Sequence, residues 1–340
     1  MPTRGLAQWQ VAKETTWGTA VVATAKLMGV QEKSYLQAAN RSDIYPDVRA
    51  SLAPAYLAGL EQTAGAGELE IIVTYEDSPY ILDNAFGEAT PTGAGPYVRA
   101  YGAPVATAVT PRILTFYHGN TQTGGGIYKL AGGLLNSLKL KGATGKPTML
   151  TGDLIGKSVA TGAFAALSDR TVEVVMGQPW LIYMDAWGGT MGATQVATTA
   201  LAFELDVKLN RVLQWSMDSL APDTWEQNPW EGSLKLTLRM NATTKTEVDA
   251  IVAQTSVYQK QVRLKATSGT KVFQVDFAGT MKEPPKTYDD EDGVLTVELE
   301  MDGTYNTGLA NWLAASVTNS VATHLHQARH AGGERDEQRG

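Results

Sequence analysis

The strongest constraint on how this chain can fold is strict alternation of apolar and polar residues over five stretches of its second half. Phe203, Leu205, Val207 and Leu209 alternate with Glu204, Asp206 and Lys208, and Leu234, Leu236, Leu238 and Met240 alternate with Lys235, Thr237 and Arg239. Residues 262–265, 273–277 and 295–301 repeat the pattern. Period two places one face of a strand on a core and leaves the other polar. One helix interrupts the series: Thr244 with Glu247 reads as a capping box, and Val248, Ile251 and Val252 form its apolar stripe.

The first half uses the same grammar. Leu69, Ile71, Val73 and Tyr75 alternate as a strand; Ser78 can cap a helix with Pro79 in its first turn, Ile81, Leu82, Ala85 and Phe86 form its stripe, and Gly87 can end it. Gly67 stands eleven residues before Ser78, and Gly232 twelve before Thr244. The strand of Leu138 and Leu140 takes the place that 295–301 takes later. These correspondences read as two tandem β units, residues 1–188 and 189–318, joined near Trp187-Gly188-Gly189. Chance similarity of two sheet-plus-helix segments is the alternative. The expected fold class is mainly β, with short flanking helices and two sandwich or barrel units.

Other stretches carry no regular period. Residues 40–65 read as one long loop, and a loop of that length in a compact domain usually serves a function or is disordered. Its Arg41, Asp43, Tyr45, Arg49, Tyr56 and Leu57 favour a partner surface, against a loop folded back on its own domain. Residues 88–111 and 119–126 read as connections. From 319 to 340 the chain is polar with cancelling charges, and a disordered tail is expected.

Composition removes much chemistry. The 340 residues contain no cysteine and four histidines, of which His324, His326 and His330 fall in the polar tail and leave His118 alone. Thiolate metal sites and cysteine nucleophiles are excluded, and no histidine-based triad or metal set suggests itself. No cofactor is expected, and no enzyme. Gly152 to Ser158 has the wrong glycine spacing for a phosphate-binding loop and reads as a turn, as does acidic 289–293. The formal net charge of −7 disfavours wrapping of nucleic acid. No signal peptide and no membrane-spanning run are read. Trp215, Trp225 and Trp230 fit either core packing or a subunit contact. A carbohydrate- or receptor-binding β-sandwich module is a second reading, with exposed Trp and Tyr stacking on sugars.

The opening Gln10-Val11-Ala12-Lys13-Glu14-Thr15-Thr16-Trp17-Gly18-Thr19-Ala20 resembles that of major tail (tail tube) proteins of long-tailed bacteriophages. Gly67-Glu68-Leu69-Glu70, the helix of Tyr80 to Gly87, Leu135 to Leu140, Asp153 to Lys157, and Gly293 to Met301 before Asn311-Trp312-Leu313 follow in similar order. The resemblance covers roughly residues 5–318. It implies rings that close by pairing sheet edges and stack into a hollow tube for DNA delivery. A duplicated chain would form a homotrimeric, pseudo-hexameric ring. Implied partners are further copies of the chain, a tape measure protein, and tail-tip or terminator proteins, with DNA only in transit. The implied location is the virion tail, assembled in the host cytoplasm. An acidic bore would let DNA pass without adhesion, with Glu204, Asp206, Glu298 and Glu300 as candidate bore-facing residues and the 40–65 loop as the candidate contact between rings.

Overall fold

The computed structural model describes residues 4–45, 57–178, 180–196, 199–253, 257–281, 283–284, 289–291 and 293–322. The fold is mainly antiparallel β, with two α-helices among the described residues. The five alternating stretches are the strands Ala200–Lys208, Glu231–Arg239, Gln259–Ser268, Lys271–Thr280 and Val294–Gly303. Most of their apolar positions, among them Phe203, Leu205, Leu236, Val275 and Leu299, are buried, whereas Leu295 at the start of the last stretch is 52% exposed.

One long sheet runs through the molecule. Its order is Tyr35–Ala38, Gly65–Ile72, Met149–Gly156, Ser137–Ala143, Ala200–Lys208, Glu231–Arg239, Val294–Gly303 and Asp289–Glu291, each antiparallel to the next. Two shorter ladders flank it. One runs Ala25–Leu27, Gln8–Lys13, Leu114–Gly119, Ile127–Leu135, Ser158–Thr161. The other runs Trp180–Ala186, Gln259–Ser268, Lys271–Thr280, Leu313–Asn319, Tyr97–Gly102. Each flanking ladder turns a corner onto the long sheet through two residue pairs, Leu154 with Leu135 and Ile155 with Leu134, then Gly303 with Gly279 and Asp302 with Thr280.

Helix α1 spans Ser78–Phe86 and every residue of it is buried. Its Leu82 and Phe86 converge in the interior with Leu138, Leu140, Leu150 and Leu205 of the long sheet and with Phe273, Val275, Leu313 and Ala315 of the facing ladder. Helix α2 spans Ala242–Val252 and buries only Thr244, Val248 and Ile251.

The first and second halves interlock. Ser137–Ala143 pairs with Ala200–Lys208 over seven residues, and Tyr97–Gly102 completes the ladder of Leu313–Asn319. Lys271 bridges Glu76 at 2.5 Å and Glu173 at 2.8 Å. The sheet is therefore continuous across residue 188.

Several local expectations change. The 40–65 segment contains a β-hairpin, Arg41–Tyr45 against Leu57–Gln62, in place of a loop. All of Arg41–Tyr45 is exposed, so neither face is buried and the strand shows no alternation. Gly152 to Ser158 is strand and corner, not a turn. A Cβ at Gly152 would lie 2.4 Å from Leu135 Cδ2, and at Gly156 2.7 Å from Leu130 Cδ1, so these glycines permit close packing. The acidic 289–293 segment turns between Asp289–Glu291 and Val294–Gly303. Helix α2 starts on Asn241, whose side chain accepts the Thr244 N–H at 2.9 Å, instead of on a Thr244 box. Glu247 binds the Tyr258 hydroxyl and Lys260. Helix α1 has Asp77 at its N-cap, ahead of Ser78. Asn319 ends a strand, is fully buried and donates to Tyr75 O at 2.7 Å, while Arg99 binds the carbonyls of Val321 and Ala322. Residues 323–340, with the three tail histidines, lie outside the described residues.

Candidate assembly surfaces

The outward face of the long sheet collects all four acidic residues singled out above. Register places Lys141, Glu204, Lys235 and Glu300 in one cross-strand row, and Lys139, Asp206, Ser233 and Asp302 in the next. Glu298 stands opposite Thr237. The lysines were not expected as part of this surface. Lys139 lies 2.5 Å from Glu204 and 3.2 Å from Asp206, Lys141 is 3.0 Å from Glu204, and Lys235 is 2.8 Å from Glu298. Their signal was present in sequence: Lys139 and Lys141 alternate with Leu138 and Leu140.

The charges perturb one another. Partial burial works against the Glu204 carboxylate, but hydrogen bonds from Lys139 and Lys141 outweigh it and hold the carboxyl below the usual glutamate value. The hydrogen bond to Glu204 lifts Lys139, and the hydrogen bond to Glu298, aided by Glu300 and Glu204, lifts Lys235. Exposed pairs of this kind contribute only about 0–1 kcal/mol each. Their larger consequence is that three lysines in the middle of the face are occupied by carboxylates. Glu68, Glu70 and Glu300 have no ion-pair partner among the described residues. No cluster of three or more metal-ligating side chains occurs among the described residues.

Two hairpins leave the sheet. The first joins Tyr35–Ala38 to Gly65–Ile72 and carries Arg41, Asp43 and Tyr45; Ile44 is 65% exposed, and Glu61 accepts from both Arg41, at 2.9 Å, and the Tyr45 hydroxyl, at 3.0 Å. Leu57 is described through its backbone pairing with Tyr45, and Arg49 and Tyr56 lie outside the described residues. The second hairpin, Arg211–Gln214 against Thr224–Gln227, joins Ala200–Lys208 to Glu231–Arg239. Met217 in its loop is fully exposed. The carbonyl of Leu220, in that loop, accepts the N–H of Thr63 at 2.7 Å, so the loop of the second hairpin rests on the root of the first.

Arg211, at the root of the second hairpin, is a buried residue that sequence reasoning missed. It is 2% exposed and has no carboxylate partner among the described residues. Its Nη1 donates to the carbonyls of Asn84 at 3.0 Å and Leu135 at 2.7 Å, and its Nη2 to that of Ala85 at 2.6 Å. It thus satisfies the free carbonyls at the C-terminal end of α1, where a cation is also favoured by the helix dipole. Desolvation pulls its guanidinium down to about 9. The signal available in sequence was a repeated dipeptide: Asn40-Arg41 opens the first hairpin as Asn210-Arg211 opens the second. Of the tryptophans, Trp230 packs on Phe86 at 5.3 Å between ring centroids, and Trp225 lies 5.8 Å from the Arg211 guanidinium. His118 stacks on Trp9 at 4.7 Å.

Residues 6–303 match the family model described as phage tail tube protein. No curated protein matches the chain.

Proposed function

The chain belongs to the phage tail tube protein family, a structural component of the virion tail, and we propose that it forms trimeric rings that stack into the tube through which DNA leaves the particle. The observation that carries this reading is a repeated strand order. Tyr35–Ala38, Gly65–Ile72, Met149–Gly156, Ser137–Ala143 is followed along the sheet by Ala200–Lys208, Glu231–Arg239, Val294–Gly303, Asp289–Glu291. In each run a hairpin separates the first two strands, and a helix follows the second. The chain is read as two copies of one unit, the second opening with the Trp180–Ala186 strand, earlier than the boundary at 189 suggested by sequence. Three chains then supply six units.

Among the described residues both ends of the long sheet are open edges, which natural proteins protect or pair. Within the chain the two runs join by pairing Ser137–Ala143 with Ala200–Lys208. The corresponding join between chains sets Asp289–Glu291 of one copy beside Tyr35–Ala38 of the next, and repetition closes a ring without free edges. The polar face lines the bore, with Glu204, Asp206, Glu298 and Glu300 turned toward DNA and the lysines among them neutralised. A duplex sliding past would meet few unpaired cations, and so little counterion release to hold it. The first hairpin, with Asp43 and Tyr45 and the Arg49, Tyr56 and Leu57 segment, contacts the next ring. A tape measure protein in the bore, and tail-tip and terminator proteins at the tube ends, complete the set of partners. Assembly takes place in the host cytoplasm.

Negative-stain electron microscopy of the purified protein tests this reading. Hollow tubes with threefold rings are expected; persistent monomers at high concentration, even with a tail-tip nucleator, would sink it. The double substitution Glu298→Lys with Glu300→Lys is expected to leave tubes intact and to slow DNA ejection. Normal ejection from such particles would remove these residues from the bore.

A further inference from the structure

The two helices occupy equivalent places in the two units and are buried to very different extents. Each follows the second strand of its run, and each has an Asp whose carbonyl accepts the C-cap N–H: Asp83 from Gly87 in α1, Asp249 from Ala253 in α2. Matching the helices on that pair sets Asn84 and Ala85 against Ala250 and Ile251, and Phe86 against Val252. Phe86 is buried against Trp230 of the other unit, whereas Val252 is 63% exposed.

The residue that covers the end of α1 also has a counterpart. Arg211 follows the first strand of the second run and reaches the carbonyls of Asn84 and Ala85 across the junction between units. Arg41 follows the first strand of the first run, in the same Asn-Arg pair. Its side chain is 69% exposed, with Glu61 as its carboxylate partner. Among the described residues of one chain, no second unit covers the C-terminal end of α2, and Val252 stays exposed.

We propose that Arg41 of one copy docks on the C-terminal end of α2 in the neighbouring copy of the ring, donating to the carbonyls of Ala250 and Ile251 as Arg211 donates to those of Asn84 and Ala85 inside the chain. The occupant of this surface is a second copy of this chain, because the internal junction already displays the contact between the same two kinds of unit. The inference rests on the ring reading above. It assigns Arg41, at the hairpin root, to closure of the ring and leaves the hairpin tip to stacking. Val252 lies beside that contact and is covered by the neighbouring copy, as Phe86 is covered inside the chain by Trp230 of the second unit.

The absence of native cysteine makes the test clean. The variant carrying Arg41→Cys and Val252→Cys, treated after assembly with a short bis-maleimide that spans the length of the lost arginine side chain, is expected to give covalent dimers and closed trimers on a denaturing gel, while each single variant gives none. Hydrogen exchange on the unsubstituted protein provides the second measurement: amides near 250–253 and at the root of 41–45 are expected to gain protection when monomers become rings. Arg41→Ala is expected to raise the protein concentration needed for rings by about tenfold or more, as loss of a charge-assisted contact implies. Rings with neither the cross-link nor the added protection overturn this contact and leave the ring reading standing. Failure of the unsubstituted protein to form rings overturns both.

Discussion

Helices α1 and α2 have similar local sequence logic. Both follow an alternating strand, both carry an apolar stripe, and both end with an Asp carbonyl holding the C-cap amide. Yet every residue of α1 is buried, and only three of the eleven in α2 are. The difference lies in what stands next to them. Helix α1 is covered by the second unit, through Arg211 at its C-terminal end and Trp230 on Phe86. Helix α2 has no such neighbour among the described residues of its own chain. A buried junction between two units of one chain can therefore serve as a template for the corresponding surface that the described residues leave exposed.

Substitution at matched positions breaks or sharpens this contrast. Phe86→Ala should show the largest effect, lowering protomer stability by about 3–5 kcal/mol, the usual cost of deleting a buried aromatic ring. Its counterpart Val252→Ala should change protomer stability by less than about 0.5 kcal/mol, as expected at an exposed site. Urea unfolding of monomeric protein measures both, and equal losses would mean that the helices are not inequivalent in the way their burial indicates. Next comes Arg211→Ala, which leaves the carbonyls of Asn84, Ala85 and Leu135 without their donor and should cost about 3 kcal/mol. Arg41→Ala should leave the monomer melting temperature unchanged while impairing ring formation. A large loss of monomer stability on Arg41→Ala would show that Arg41 serves its own protomer.

Much of the architecture was legible in sequence because it rests on period-two alternation. The strands around Leu205, Leu236, Val275 and Leu299 are marked by residues that must face a core. The first hairpin was illegible for the converse reason: with both faces of Arg41–Tyr45 exposed, no burial constrains the pattern. The acidic candidates were found as single-strand features. Their pairing with Lys139, Lys141 and Lys235 depends on register across neighbouring strands, which one strand's sequence does not state. Arg211 escaped notice because an isolated arginine before a hairpin looks like surface, and its burial depends on three carbonyls more than 70 residues away. Only the second Asn-Arg pair could have drawn attention to it.

The smallest expected effect separates two carboxylates by the sign of their pH dependence. Burial raises Asp83 in α1 above its ordinary 3.8, with Arg112 and the Tyr101 hydroxyl opposing the shift. Protonation of Asp83 is thus easier in the folded state, and falling pH relieves a cost there. Glu204 on the polar face is held below its ordinary 4.5. Its contribution is fully present above 4.5 and is lost as pH falls through the depressed folded value. Because Glu204 is partly exposed and screened, the contribution is only ~0.5 kcal/mol, a shift of about 1–2 °C in melting temperature. Glu204→Gln should therefore lower the melting temperature by that amount near pH 7 and by less near pH 3, where protonation removes part of the native carboxylate's contribution. An equal decrease at both values would mean that Glu204 acts through packing and not through its charge, and the lysine-stitched face would then be neutral to acid while the interior around α1 is not.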